Sequence, residues 1–226
     1  MTDSSSFLQA FFDRSVEKKI NERMFYRDYV FPYDVVMGYI RRVIDTPISE
    51  FVEFLRNNIS ISYLDYADIV QFSSIRDASF GICDKLRNTS DEGYSFVEIG
   101  KMLLRDETAK KEGAYRKYGE NHAKTAREFG LVQLLYSKTY MASLGIVYPD
   151  LAEKDQLKLL RRLILRNRYF SLIIKLSKDS TIRLDSQMDF LSESTKVRRL
   201  SNVKKCWDIL MTEAQNETNL KMAVVI

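Results

Sequence analysis

Along most of this chain apolar residues recur three or four positions apart with polar residues between them, the spacing of helices that bury one face. Prolines and glycines, 3 and 8 in the whole sequence, are too few to break these stretches into short strands. The predicted fold class is therefore mainly α. Within residues 1–65 two helical pieces stand out, Val35 to Val43 and Ile48 to Arg56, with Pro32 and Pro47 interrupting the pattern. Thr46 is placed to cap the helix after Pro47. This helical N-terminal part carries no chemistry of its own and reads as a layer for support or dimerisation.

From Tyr66 the order of elements becomes specific. A helix through Ile69, Ile75, Phe80 and Leu86 stops at Asn88, Thr89 and Ser90. A second, Ser95 to Leu104, opens with Ser95 and Glu98 at the spacing of a reciprocal capping box. A loop holding Lys110, Lys111 and Gly113 leads to a third, Ala114 to Phe129, whose apolar side is Tyr115, Tyr118, Ala126 and Phe129 with His122 among them. Gly130 suits the left-handed position just past its end. Leu131 to Pro149 is a pair of apolar runs broken near Ser137 and Lys138, the pattern of a short hairpin. Three helices plus a short β-hairpin over residues 66–152 make a winged-helix module.

A second, winged-helix-like module is expected over 153–211. Its first helix starts at Glu153 and runs through Leu157, Leu160, Leu163 and Ile164 past Phe170, and a shorter one spans Asp185 to Leu191. After the turn Ser-Glu-Ser-Thr comes a long helix, Lys196 to Met211, with Val197, Leu200, Val203, Trp207 and Leu210 as its apolar stripe. Residues 212–226 form a C-terminal tail.

Composition adds little until charge is placed along the chain. With 45% hydrophobic and 29% charged residues the sequence has the balance of a globular protein. Cys83 and Cys206 lie far apart and read as buried thiols of a reducing compartment rather than as a disulfide or metal pair. The opening residues, MTDSSSFLQAFFDR, lack the basic start and apolar run of a secretory signal, and no stretch has the length of a membrane span, so the expected location is cytoplasmic with no membrane partner. The net charge of +4 is unevenly spread. Residues 66–152 hold 12 basic and 12 acidic side chains, whereas 153–211 hold 14 basic against 7 acidic, which points to a local surface for a polyanion.

Candidate chemistry concentrates on two helices. At the start of the helix Lys196–Met211 one of Ser192, Ser194 and Thr195 is expected to cap, leaving a helix N-terminus suited to a phosphate. Arg198 and Arg199 in the first turns are placed to read guanine edges or position the helix, Lys204 and Lys205 to hold phosphates, and Lys196 and Asn202 share the polar faces as further DNA-contact candidates. The helix Ala114–Phe129 offers Arg116, Lys117, Asn121, Lys124 and Arg127 on its polar side; Asn121 has the amide that pairs with adenine. Glu120 and Glu128 dilute its charge, so it is either a weaker second reader or structural.

The stretch EFGLVQLLYSKTYMASLGIVYPDLAEKDQLKLLRRLILRN resembles a winged helix ending in its wing and followed at once by another module. LSESTKVRRLSNVKKCWDIL resembles the closing helix of winged-helix modules found in some prokaryotic restriction and defence proteins, where a Ser-Thr turn precedes an Arg-Arg helix with a tryptophan near its end. The resemblance implies binding of double-stranded DNA, as a transcriptional regulator or as the target-recognition component of a restriction or defence system. The chain would act as a homodimer or within a larger complex. A likeness of fold is only an associational warrant for function.

Catalysis is not expected. The single histidine, His122, is read as a hydrogen-bonded core residue, and neither a nucleophile triad nor zinc-ligand spacing nor a phosphate-cradling glycine loop is present. The one acid-x-Lys sequence, Glu17-Lys18-Lys19, lies in a helical stretch with Asp13 four residues before it, which makes a metal-dependent nuclease the least favoured reading. No cofactor is implied. The alternative to DNA binding is a non-catalytic protein-interaction or scaffold subunit, consistent with 13 tyrosines and 13 phenylalanines.

Overall fold

The computed structural model describes residues 4–26, 28–61, 63–87, 93–104 and 110–226. Its elements run α1 (Ser4–Phe12), α2 (Ser15–Arg23), α3 (Tyr33–Asp45), α4 (Ile48–Asn58), α5 (Ile82–Leu86), α6 (Phe96–Leu103), α7 (Glu112–Glu128), β1 (Val132–Leu135), β2 (Lys138–Met141), α8 (Ser143–Val147), α9 (Glu153–Arg166), α10 (Arg168–Leu176), β3 (Ile182–Arg183), α11 (Glu193–Glu217), α12 (Leu220–Ala223) and β4 (Val224–Val225). The chain is mainly helical, as the spacing of apolar residues predicts. Among the described residues no helix is long and apolar enough to cross a membrane.

Two compact units divide the chain: residues 1–14, 42–70 and 158–226 form one, residues 15–41 and 71–157 the other. The first 65 residues, which read from the sequence as one layer, are thus shared between both. Some local expectations change as well. Thr46 does not cap α4; its hydroxyl donates to the Arg42 carbonyl at 2.8 Å, and Pro47 stands at the cap position without a side-chain bond. The expected helix from Tyr66 begins later, because Asp65 and Asp68 close a short 3-10 turn as a capping box and the chain then runs on to a π-helical turn, Asp77–Gly81, that feeds α5. Its expected stop at Asn88, Thr89 and Ser90 lies outside the described residues.

In the unit formed by 15–41 and 71–157, α6 begins at the predicted capping box: Ser95 Oγ accepts from the Glu98 N–H while Glu98 accepts from the Ser95 N–H at 2.8 Å. It crosses α7 at two glycines. A Cβ on Gly100 would sit 2.0 Å from the Tyr115 carbonyl oxygen, and one on Gly119 would sit 2.0 Å from that of Phe96, so the two backbones touch where any side chain would part them. Gly130, at φ +77°, takes the left-handed position after α7. The chain then turns back through β1 and β2, antiparallel from Val132 opposite Met141 to Leu135 opposite Lys138. Tyr136 and Ser137 make the two-residue turn with φ of 51° and 64°, the geometry that matches strand twist in tight hairpins. Tyr94, just before α6, bridges Thr139 of β2 in both directions, at 2.9 and 2.7 Å.

The other unit buries Phe7, Leu8 and Phe11 of α1 against Phe51 and Phe54 of α4, with Phe11 and Phe51 edge to face at 5.0 Å. The expected helix from Glu153 past Phe170 is broken at Asn167, whose side chain accepts from the Tyr169 N–H and caps α10. No helix forms over Asp185–Leu191. Leu184 is tied to the Val225 carbonyl beside the two-residue parallel pair β3–β4, Asp185 takes the Arg183 guanidinium at 3.0 Å, and successive three-residue turns follow at Ser186, Met188 and Leu191. Aspartate and serine bond locally in such turns in preference to a helix. The long helix after it is α11, starting earlier and ending later than expected.

Candidate nucleic-acid interface

The inner side of α7 is held by three polar side chains spaced along one face. Tyr118 donates its hydroxyl to Asp77 Oδ2 at 2.7 Å, His122 meets the Ser74 N–H at 3.2 Å, and Thr125 donates to the Gln71 carbonyl at 2.9 Å. His122 is fully buried, and its Nδ1 lies 2.7 Å from the Tyr118 carbonyl, so the neutral ring donates there and accepts through Nε2 from Ser74. Burial pushes its pKa below the ordinary 6.5 against the bonds to Tyr118 and Ser74. The ring stacks on Tyr118 with centroids 4.0 Å apart. These anchors, with the Gly100–Gly119 crossing, fix which side of α7 looks outward.

That outward side carries Arg116, Lys117, Lys124 and Arg127, all exposed, with Asn121 half-buried beside them. Lys124 pairs with Glu120 at 2.5 Å and Arg127 with Glu128 at 2.8 Å, whereas no carboxylate pairs with Arg116 or Lys117 among the described residues. Lys110 and Lys111 are exposed before the helix begins. Tyr136 at the hairpin tip is 97% exposed, with Ser137 and Lys138 exposed next to it. Sequence reasoning singled out the helix but not Tyr136. A two-residue break between alternating runs marks a hairpin tip and was the available signal.

The second candidate helix, α11, is arranged differently from expectation. Arg199 and Asn202 are both 5% exposed and lie on the packed side with Val203, Cys206, Trp207, Leu210 and Ala214. The Arg199 guanidinium donates to the Ile69 carbonyl and covers the Tyr66 ring at 4.1 Å, which removes it from any base-reading surface. Val197, expected in the apolar stripe, is 63% exposed. The stripe turns because three- and four-residue spacing from Trp207 leads back to Val203 and Arg199 as readily as to Leu200. Ser192, not Ser194 or Thr195, occupies the cap position, and its hydroxyl donates to Thr195 Oγ1 at 2.9 Å rather than accepting from the backbone. Lys196 pairs with Asp189 at 2.8 Å, Lys204 is half-buried, and Ser194, Arg198 and Lys205 are exposed.

Much of the basic excess of 153–211 lies inside the unit. Arg162 and Arg166 are buried along with Arg199. Arg162 grips Glu213 with both terminal nitrogens, at 2.7 and 2.5 Å, and reaches the Thr46 carbonyl at 3.2 Å; Arg161 adds bonds to Glu213, Thr212 and the Ile209 carbonyl. Burial opposes ionisation of Glu213, yet Arg162 and then Arg161 hold its pKa below the ordinary carboxylate value. A charge count along the sequence cannot separate such interior arginines from a solvated basic face.

Of the groups weighed for catalysis, Glu17 is buried in α2 and accepts from the Tyr39 hydroxyl at 3.2 Å. Cys83 and Cys206 are fully buried free thiols whose pKa values burial pushes up. Among the described residues no group of three His, Cys, Asp or Glu side chains is placed to hold a metal ion. No protein-family model matches this chain, and no curated protein or solved structure is significantly similar to it.

Proposed function

We propose that this chain binds double-stranded DNA through a winged-helix arrangement in the unit that contains α5, α6, α7 and the β1–β2 hairpin, as a regulator or a target-recognition component. The observation that carries this reading is the outward face of α7. Four exposed cations share it with Asn121, on a helix whose opposite face is fixed by Tyr118, His122 and Thr125. The element order supports it, since three helices, a bridge at Tyr94 and a hairpin are the parts of a winged helix. In this reading α7 enters the major groove, Arg116 and Asn121 meet base edges, Lys117 and Lys124 meet phosphates, and the hairpin tip with Tyr136 lies on the neighbouring backbone. Arg198, Lys204 and Lys205 of α11 belong to the other unit, and no role at this site is assigned to them.

The test is fluorescence anisotropy of the full chain with a random 30-base-pair duplex across a salt series. Affinity is expected to fall steeply with salt, as counterion release requires, and Arg116→Glu with Lys124→Glu is expected to abolish binding while the far-UV spectrum is retained. Binding unchanged in that variant would remove α7 from the interface. A second reading, a protein-interaction subunit, is favoured by one observation: from the end of α2 into the first turn of α3 the chain exposes Phe25, Tyr26, Val30, Tyr33 and Val35, a run of apolar and aromatic side chains suited to a partner's surface.

A further inference from the structure

The segment before α5 carries a second feature that the duplex reading does not use. Tyr63 is 68% exposed and Tyr66 51%, and each is paired with an arginine on its ring: Arg168 at 5.6 Å from the Tyr63 centroid and Arg199 at 4.1 Å from that of Tyr66. Both guanidiniums are tied down. Arg168 donates to the Tyr63 carbonyl at 2.9 Å and lies 3.6 Å from Asp68, while buried Arg199 donates to the Ile69 carbonyl. A fixed cation thereby covers part of each ring, and 68% of Tyr63 and 51% of Tyr66 remain exposed to solvent.

Charge around the two rings is biased towards anions. Asp65 accepts from the Ala67 N–H at 2.7 Å and Asp68 from the Asp65 N–H at 2.8 Å, so both nearby carboxylates are engaged by the backbone of their own turn. Arg198 is exposed one residue from Arg199, and no carboxylate pairs with it among the described residues. Arg199, against the opposing effect of burial, and then Arg198 draw the Tyr66 hydroxyl below its ordinary pKa, which places both cations within electrostatic reach of it.

We infer that Tyr63 and Tyr66, backed by Arg168 and Arg199, form a stacking platform for unpaired nucleotides, with Arg198 holding a phosphate of the same strand. Every base has a π-face, so stacking on fixed aromatic rings beside cations binds single strands with little sequence preference. A protein partner is the less suited occupant: each ring carries an arginine over it, so the surface pairs aromatic groups with cations instead of presenting a purely apolar face. The activity is additional to duplex binding by α7 and does not depend on it.

The experiment uses the full chain with fluorescein-labelled dT20, U20 and a 30-base-pair duplex at low salt. Both single strands are expected to bind, and Tyr63→Ala with Tyr66→Ala is expected to weaken them at least tenfold while duplex affinity stays within twofold. Tyr66→Trp, which keeps the stacking face, is expected to retain strand binding, and Arg198→Glu to weaken it in a variant whose α7 is untouched. A larger loss for dT20 than for U20, or the reverse, identifies the strand preferred and supports the platform either way. The inference is overturned if neither strand binds, if removing both tyrosines leaves strand affinity unchanged, if strand binding is lost only with Arg116→Glu and Lys124→Glu, or if polyglutamate displaces the strands at equal charge concentration. Loss of duplex binding with strand binding intact would count against the α7 reading alone.

Discussion

The imidazole of His122 is fully enclosed between α7 and the segment around Ser74, where it serves as donor at one nitrogen and acceptor at the other. Protonation would turn the acceptor into a second donor facing a backbone N–H. Burial holds the folded-state pKa below 6.5, so on acidification the unfolded chain takes up the proton first. Between the two pKa values the unfolded state binds more protons, and stability there rises with pH. The contribution is complete above about 6.5 and is lost progressively below it. Chemical denaturation at several pH values is expected to show this fall, and His122→Gln to remove it at a cost of about 1–3 kcal/mol at neutral pH from imperfect replacement of the buried bonds. A wild-type stability that stays flat from pH 7 to pH 5 would contradict it. The Arg162–Glu213 pair acts in the same direction in a lower window, because the carboxylate is held below 4.5.

At the scale of elements, the α6–α7 pair rests on its two glycines. Gly119→Ala would press a methyl carbon into the Phe96 carbonyl, and the helices must separate or the backbone must shift. We expect a loss of about 3 kcal/mol in thermal or denaturant unfolding, with duplex affinity falling as α7 moves. An unperturbed melting temperature would mean that the crossing is looser than described. In α11, Trp207 is 2% exposed, and Trp207→Ala is expected to cost about 3–5 kcal/mol by leaving a cavity; a variant of equal stability would contradict its burial. These elements differ in how legible they were from sequence. The capping box at Ser95, the glycine ending α7 and the hairpin break at Ser137 follow from local chemistry that acts within a few residues. The missing helix at Asp185–Leu191 follows from local turns beside the tie of Leu184 to Val225, 41 residues away, and the inward turn of Arg199 from Ile69, 130 residues away; periodicity contains neither distant partner.

For the whole molecule, the same distinction separates charge from surface. The sequence places its basic excess in 153–211, yet Arg162, Arg166 and Arg199 are consumed by the interior, and the neutral stretch 66–152 is the one that carries an orderly exposed cationic face on α7. The two candidate helices are both visible in the sequence, whereas which of their cations are exposed depends on burial. Residues distant in sequence also share a unit: 15–41 with 71–157, and 1–14 and 42–70 with 158–226. No local pattern marks that pairing, because each segment presents only an apolar face that several partners would satisfy. The most direct test of the account is an amide chemical-shift map of the full, isotope-labelled chain titrated with a 30-base-pair duplex. The account expects the largest shifts at Arg116, Lys117, Asn121 and Lys124 and at the hairpin tip around Tyr136, vanishing as salt is raised; shifts confined to α11, or to the apolar segment from Phe25 to Val35, with α7 unmoved would contradict it.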